Sequence, residues 1–408
     1  MKIIHITASY IPAYLYGGPI QSVGKLCEVL STITFRDAAK KQQIEVLTTT
    51  ANGTGELHVA SGKRQFVNGV SVYYFRRWTK DHSHFSPLLL NRLNTIMLQR
   101  LKGEKLVIHI HAWWNLVSVL SCWIAKWHQI PVVLSPRGML SVYSQNNRHS
   151  IAKTAIHKLV GKRLLQYCHI HATSEQEQKE ILKIVQPKSI TVIPNLLNMK
   201  HTVPGNKYRE IHTKFQEPHE NLRLIFLSRI EEKKGLDLLF DALALVNISW
   251  SLTLAGTGDK NYVESLGKKA KALKINERIK WLGLVTDEDK FELMANHDLC
   301  VLTSYNENFA NVVIESLSTG TAVLVSDKVG LSQYVRNSGF GWLTKLNVKE
   351  ISQQLIAISG DKKKLSWIRA NAPQVIRQDF DDQNLVSKYI DLYRNVIIKS
   401  TNEHKRNE

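Results

Sequence analysis

Two carboxylates, Glu307 and Glu315, stand with seven residues between them in the stretch Ser304 to Gly320, SYNENFANVVIESLSTG. An apolar run, Leu299 to Leu302, precedes the stretch, and another rich in branched residues, Ala322 to Val325, follows it. Short continuous apolar runs of this kind are what the buried strands of a parallel sheet look like. Between them Ala310 to Ser318 has helical character, and Gly320 can close the helix in a left-handed turn. The unit is strand, loop, helix, strand, and in sheets built this way a ligand sits beyond the carboxyl ends of the strands. Glu307 falls in that loop. The backbone N–H groups of Phe309, Ala310 and Asn311 fall at the helix N-terminus, which suits a phosphate. Glu315 is more than a turn further on and can fold back toward sugar hydroxyls. Taken alone, such a pair is more often a helix cap, here Glu307, and a solvated face residue, here Glu315, since helix starts favour acids.

At 408 residues the chain exceeds one ordinary core and suits two domains. Residues 198–220 are polar with Pro204, Gly205 and Pro218, so the expected division is a first domain over 1–200, a linker over 201–220 and a second domain over 221–380. A final helix over 381–400 and a polar tail complete the chain. No apolar run approaches the roughly 20 residues that span a bilayer. The N-terminus MKIIHITASY reads as a first strand rather than a secretory signal. Cys27, Cys122, Cys168 and Cys300 lack metal-type spacing, which fits reduced thiols and a cytoplasmic location. Charge is uneven: residues 1–200 hold 25 Lys+Arg and 9 Asp+Glu (+16), residues 201–408 hold 29 and 26 (+3). The first half is expected to meet something anionic. Phe85 to Leu101 reads as an amphipathic helix beside that charge; most such helices pack on the core, and fewer touch an anionic membrane surface. No nucleic-acid motif accompanies the basic surface, so a nucleic-acid partner is not expected.

In chain order, the strand Lys2 to Thr7 leads to Gly17-Gly18 and a helix over about Ile20 to Leu30; the glycines let a ligand approach the backbone closely. Strands at Ile44–Thr48, Val70–Phe75 and Leu106–Ile110 follow. His109 and His111 alternate onto one sheet face. No third or fourth ligand stands at a fixed spacing, so no metal site is expected. His111, at the strand end, is placed to bond a substrate. Trp113 and Trp114 suit either sugar stacking or core packing. The strand Val132–Ser135 ends in Pro136-Arg137-Gly138-Met139-Leu140, where Arg137 can take an anionic group. Residues 148–163 are basic and helical. Ser174 with Glu177 forms a capping box. In the second half, Ser228-Arg229-Ile230-Glu231-Glu232-Lys233-Lys234-Gly235 follows a strand. Arg229 and Lys234 lie at a helix start, where cations gain only if an anion joins them. Gly256-Thr257-Gly258 lacks the third glycine of a dinucleotide fingerprint. Asp287-Glu288-Asp289 opens a helix as a capping pattern with Thr286, rather than holding a metal.

The segments ENFANVVIE and GTAVLVSDKVGLSQYV, with Arg229-x4-Lys234-Gly235 and, more loosely, SPRGML and Gly17-Gly18, resemble the retaining glycosyltransferases of family 4. The resemblance covers nearly the whole chain and implies the GT-B fold, two doubly wound α/β domains. It implies transfer of a sugar from a nucleotide diphosphate, UDP- or GDP-linked, to a saccharide or lipid-linked hydroxyl, without a metal or other cofactor. It assigns catalysis to Arg229, Lys234, Glu307 and His111. Donor binding falls to Glu315, Gly17, Gly18, Gly256, Val285, Phe309, Ala310 and Asn311. Some members carry a histidine where this chain has Arg137, so that role does not transfer. A nucleotide-sugar epimerase and a non-catalytic membrane-surface protein are the alternative readings.

Overall fold

The computed structural model describes residues 1–33, 43–100, 103–141, 161–199 and 221–407, with side chains to residue 401. The expected linker over 201–220 and most of the basic segment 148–163 lie outside them. The chain divides into two compact units, Met1–Asn198 with Phe380–Glu408, and Met199–Asp379.

The first unit is built on strands β1 (Lys2–Thr7), β2 (Gln43–Thr49), β3 (Ala51–Asn52), β4 (Gly55–Glu56), β5 (Arg64–Val67), β6 (Val70–Phe75), β7 (Leu106–His111), β8 (Val132–Ser135), β9 (His169–Ala172) and β10 (Ser189–Val192). Its main sheet runs β10-β9-β8-β7-β1-β2-β6-β5. Every neighbouring pair is parallel except β5 with β6. β3 and β4 make a small antiparallel hairpin. β1 and β7 are buried along almost their whole length, apart from Lys2, as central strands covered on both faces must be, and His5, His109 and His111 are among the polar residues they carry inside. The chain leaves β1 toward β2 on one side and returns to β7 on the other, so the topological switch point falls between β1 and β7.

Helix α1 (Gly18–Ile33) follows β1, and α2 (Pro87–Leu98) begins with its proline in the first turn. Leu89, Leu93, Ile96 and Met97 of α2 are buried in the core, while Leu88 and Leu98 are exposed. α3 (Leu116–Trp127) is capped by Asn115, whose Oδ1 accepts from Ser118 N at 2.8 Å. α4 (Lys162–Tyr167) and α5 (Glu175–Ile184) follow.

The second unit holds β11 (Leu222–Leu227), β12 (Trp250–Ala255), β13 (Ile279–Gly283), β14 (Leu299–Leu302), β15 (Ala322–Ser326) and β16 (Gly341–Thr344). They form a wholly parallel sheet in the order β13-β12-β11-β14-β15-β16, with its switch point between β11 and β14. Its helices are α6 (Leu236–Leu245), α7 (Lys260–Ala272), α8 (Lys290–Ala295), α9 (Asn311–Ser318), α10 (Ser332–Ser338), α11 (Val348–Gly360) and α12 (Lys362–Asp379). The strand and helix around Glu307 and Glu315 are where the sequence puts them. Gly320 has φ 81° and lies against the backbone of Arg369, a position no Cβ can share.

The chain then enters α13 (Asp382–Asn407), which belongs to the first unit. Leu385, Val386, Tyr389, Leu392, Tyr393 and Val396 are buried, and Lys25 of α1 pairs with Asp382 at 2.9 Å. The helix runs on through the residues expected to be a polar tail.

Candidate active site

In the second unit the residues nearest the switch point come from the loops after β11 and β14. Gly235, at φ 67°, ends a short 3-10 turn over Glu232–Lys234 and starts α6. A Cβ on Gly235 would sit 2.2 Å from Thr303 O, so only glycine lets these two loops touch. Thr303 Oγ1 donates to Gly235 O at 2.9 Å and Tyr305 N donates to Lys233 O at 2.8 Å. The loops are thereby locked to each other, and they bring Lys234 Nζ onto the Glu307 carboxylate. Glu307 is fixed in turn by its backbone: its N donates to Lys328 O at 3.2 Å, and Gly330 N donates to its carbonyl at 2.8 Å.

Lys234 is buried, with 7% of its surface exposed. Burial pushes its pKa down, and Lys233 and Arg229 nearby add to that; Glu307 pulls the other way without cancelling it. A buried ammonium left short of negative charge is one that an anionic ligand stabilises. Arg229 stands at the end of the neighbouring segment, half exposed, with Nη1 2.6 Å from Glu231 Oε1. Such an exposed ion pair is weak enough to give way to a stronger anion.

Gly256 has φ 148°, and a Cβ there would lie 1.9 Å from Ser228 O. A Cβ on Gly258 would lie 2.0 Å from Ile230 O. Backbone hydrogen bonds Ser228 N to Ala255 O (3.1 Å), Ile230 N to Thr257 O (2.8 Å) and Gly256 N to Gly283 O (2.7 Å) join the three strand ends. They edge a cavity of about 350 Å³ whose lining includes Ile230, Gly256, Thr257, Gly258, Trp281 and Gly283. Val285 lies two residues beyond Gly283, in the loop that leads to α8.

Ala310 takes the left-handed conformation at φ 70° and forms the N-cap of α9 with no side-chain cap. Phe309 is buried beneath the turn. Glu315, on the buried face of α9, accepts from Lys290 Nζ at 2.8 Å; both side chains are 8% exposed. Lys290 also lies 2.9 Å from Asp287 Oδ1. Burial opposes the charge on Lys290, but Glu315 and Asp287 outweigh it and raise its pKa. Lys290 is therefore a site neighbour that the sequence reading missed. The signal available was Asp287 three residues before it on the opening turn of a helix. Thr286 Oγ1 accepts from Asp289 N at 3.2 Å and donates to Asp289 Oδ2 at 2.7 Å, the turn-opening pattern expected there.

Gly17, Gly18 and His111 belong to the first unit. Gly17, at φ 73°, closes a 3-10 turn, and Gly18 starts α1 two residues earlier than expected. His111 is 1% exposed at the end of β7. It has two imidazole neighbours, because His5 on β1 joins His109 and His111 on the same face, with ligand atoms within 4.8 Å of one another. The sequence spacing showed no third imidazole; strand pairing across the switch point supplies it from 104 residues upstream of His109. These imidazoles are engaged in hydrogen bonds. His171 Nε2–H donates to Ile193 O at 2.8 Å, which leaves His171 Nδ1 to accept from Ser135 Oγ at 2.6 Å. Ser135 Oγ then accepts from His109 Nε2–H at 2.7 Å, and His109 Nδ1 accepts from Tyr393 of α13 at 2.8 Å. His111 Nδ1 accepts from Arg137 Nε at 3.5 Å, so His111 Nε2–H donates to His5 Nδ1 at 3.0 Å. All four rings are held neutral. Burial pushes His5 and His171 to about 3 and His109 and His111 well below the usual value, and the Arg137 charge adds to each. Trp113 is fully buried in the core, and Trp114 donates from Nε1 to Met139 O at 2.6 Å.

Two doubly wound, almost wholly parallel sheets, one in each unit, are the architecture of the GT-B fold. Residues 31–201 match the model of glycosyltransferase family 4, and residues 207–375 match that of glycosyl transferases group 1. The chain belongs to the GT-B glycosyltransferases of the family 4 type. It is 22% identical over 338 residues to an uncharacterized glycosyltransferase of Methanocaldococcus jannaschii, across 80% of this chain and 85% of that one. It is 25% identical over 286 residues to the N,N'-diacetylbacillosaminyl-diphospho-undecaprenol alpha-1,3-N-acetylgalactosaminyltransferase of Campylobacter jejuni, across 67% of this chain and 73% of that one. Among solved structures it resembles Anabaena HepE in complex with UDP and glucose, with a TM-score of 0.70, 18% identity, and coverage of 97% of this chain and 100% of that one.

Proposed function

We propose that the protein is a retaining glycosyltransferase that moves a sugar from a nucleotide diphosphate to an acceptor hydroxyl in glycolipid or polysaccharide assembly. The observation that carries this reading is the Lys234–Glu307 pair at the switch point, a buried cation short of negative charge beside Arg229. Relatives support the substrate class: the Campylobacter enzyme is named for a diphospho-undecaprenol acceptor, and the Anabaena protein binds UDP and glucose.

The bond from the sugar's anomeric carbon to the diphosphate oxygen breaks, and a bond to the acceptor oxygen forms on the same face. The acceptor's proton passes to an oxygen of the leaving diphosphate. Lys234 and Arg229 stabilise the charge that builds on that group, which is where fixed cations contribute most. The N–H groups of Phe309, Ala310 and Asn311 add to this, so no metal is required. Glu307 holds Lys234 and orients the donor sugar. Glu315, held by Lys290, meets the ribose; Gly256 and Val285 lie along the base. The first unit's basic charge, with Trp123 and Trp127 exposed on α3 beside Lys126, suits an anionic membrane face. Among the described residues no helix is long and apolar enough to cross a membrane.

The test is nucleoside diphosphate release from a panel of UDP- and GDP-sugars in the presence of a chelator. Release without metal is expected. Release only with magnesium or manganese contradicts the metal-free reading, and epimerised donor without release supports the epimerase instead.

A further inference from the structure

The second unit buries Lys234 on Glu307 and Lys290 on Glu315, and the two pairs are balanced in opposite senses. Burial keeps Lys234 below the usual lysine value, and Glu307 does not make up the difference. At Lys290 burial is outweighed by two carboxylates, Glu315 Oε1 at 2.8 Å and Asp287 Oδ1 at 2.9 Å, and the value is raised. One ammonium between two carboxylates leaves a net negative charge, which repels a phosphate and favours groups that donate hydrogen bonds.

Lys290 opens α8, at the end of the loop that leaves Gly283 on the edge of the cavity. Its N donates to Thr286 O at 3.1 Å, and its ammonium lies 5.1 Å from the centre of the Phe291 ring. α8 is pinned to the turn that follows α9 by Thr321 Oγ1, which donates to Met294 O at 2.7 Å. Lys290 thus reaches Glu315 from a fixed place and ties the loop beside the cavity to the helix that carries the carboxylate.

The pair is poorly built for stability alone. A buried ion pair contributes to folding only when further hydrogen bonds satisfy its remaining oxygens and protons. The Glu315 side chain is 8% exposed, and among the described residues its Oε2 makes no hydrogen bond. Lys290 occupies one oxygen and leaves the other for a ligand. We propose that Lys290 is a positioning residue: by fixing Glu315 through Oε1 it presents Oε2 to the ribose, and so makes this unit select nucleotides that keep the ribose 2′- and 3′-hydroxyls. This rests on the glycosyltransferase reading and deepens it, adding the residue that sets selectivity for the ribose.

The test compares UDP with 2′,3′-dideoxy-UDP by calorimetric titration of the full-length protein, with GDP and its dideoxy form as a second pair of probes. The wild-type protein should bind the ribose form about 10–100-fold more tightly, the worth of a hydrogen bond to a charged group. Lys290→Met keeps the reach of the side chain and removes its charge. It should bring that ratio to within about 3-fold by weakening the ribose form and leaving the dideoxy form as it was. The unchanged dideoxy affinity reports that the variant is folded. Lys290→Gln, which can still donate to Glu315, should fall between the wild-type protein and Lys290→Met, and it carries the test if Lys290→Met does not fold. Added to Glu315→Gln, Lys290→Met should change UDP affinity by less than about 2-fold, because Lys290 acts through Glu315. A wild-type protein that binds both forms equally, a ratio unchanged in the Lys290 variants, or a loss of both forms alike each overturns the inference. Failure of the wild-type protein to bind either UDP or GDP would instead remove the reading beneath it, so the two failures are separate observations.

Discussion

Acidification should destabilise the first unit steeply, and the buried histidines set the size of the effect. His5, His84, His109, His111 and His171 are neutral when folded, with His5 and His171 held at about 3, His84 at about 4 and the others well below 6.5. When unfolded, each ionises near the ordinary value of about 6.5. Between these limits the unfolded chain binds the extra protons, so stability is complete above about pH 6.5 and is lost as pH falls below it. One such histidine costs about 1.4 kcal/mol between pH 7.5 and 5.5, a figure that holds for any folded value below about 4.5. Five cost about 7 kcal/mol, a large share of an ordinary domain's stability of about 5–15 kcal/mol. Burial raises Glu177, so its folded carboxyl takes up a proton that the unfolded one does not and offsets at most about one of the five. Urea unfolding of the first unit at pH 7.5, 6.5 and 5.5 should therefore show a net uptake of about four protons near pH 5.5. His5→Asn should remove about one proton from that slope. A slope of less than one proton in the wild-type protein would refute the neutral, hydrogen-bonded assignment of the cluster.

In the second unit, Lys234→Ala should lower kcat by roughly 10²–10³, the loss of one preorganised charge at the leaving group, in steady-state assays of folded protein. Glu307→Gln should lower kcat through the posing of the donor sugar, whereas Glu315→Gln should chiefly raise the donor's KM. Gly256→Ala should destabilise the second unit by about 3 kcal/mol or more, read from its urea midpoint, because the added Cβ meets the Ser228 carbonyl. Vesicles of anionic lipid should sediment with the protein at low salt and release it as salt rises, and Trp127→Glu should weaken that binding; salt-insensitive binding would rule the electrostatic contribution out.

What the sequence shows and what it hides divide along the range of the interactions. The strand–loop–helix–strand around Glu307 is legible because its apolar runs, helix and closing glycine are contiguous. Ser174 and Glu177 are legible as a cap for the same reason, and Glu177 N does donate to Ser174 Oγ at 3.1 Å. The second service of Glu177, accepting from Gly138 N at 2.8 Å, is not legible, since it joins loops from two different strands. The same is true of His5 beside His111, which depends on the strand order. Lys290 looks like one more surface lysine at a helix start until packing turns it inward onto Glu315. Trp113 and Trp114 are adjacent in sequence, and only the packing of α3 against the sheet decides that the first is core and the second hydrogen-bonded at the surface.

The anomeric configuration of the transferred sugar tests the account most directly. Proton NMR of the product, recorded as it forms from an α-linked nucleotide-sugar in the presence of chelator, should show an α-linkage appearing together with free nucleoside diphosphate. A β-linked product, or turnover that needs added metal, would contradict the mechanism built on Lys234, Arg229 and Glu307.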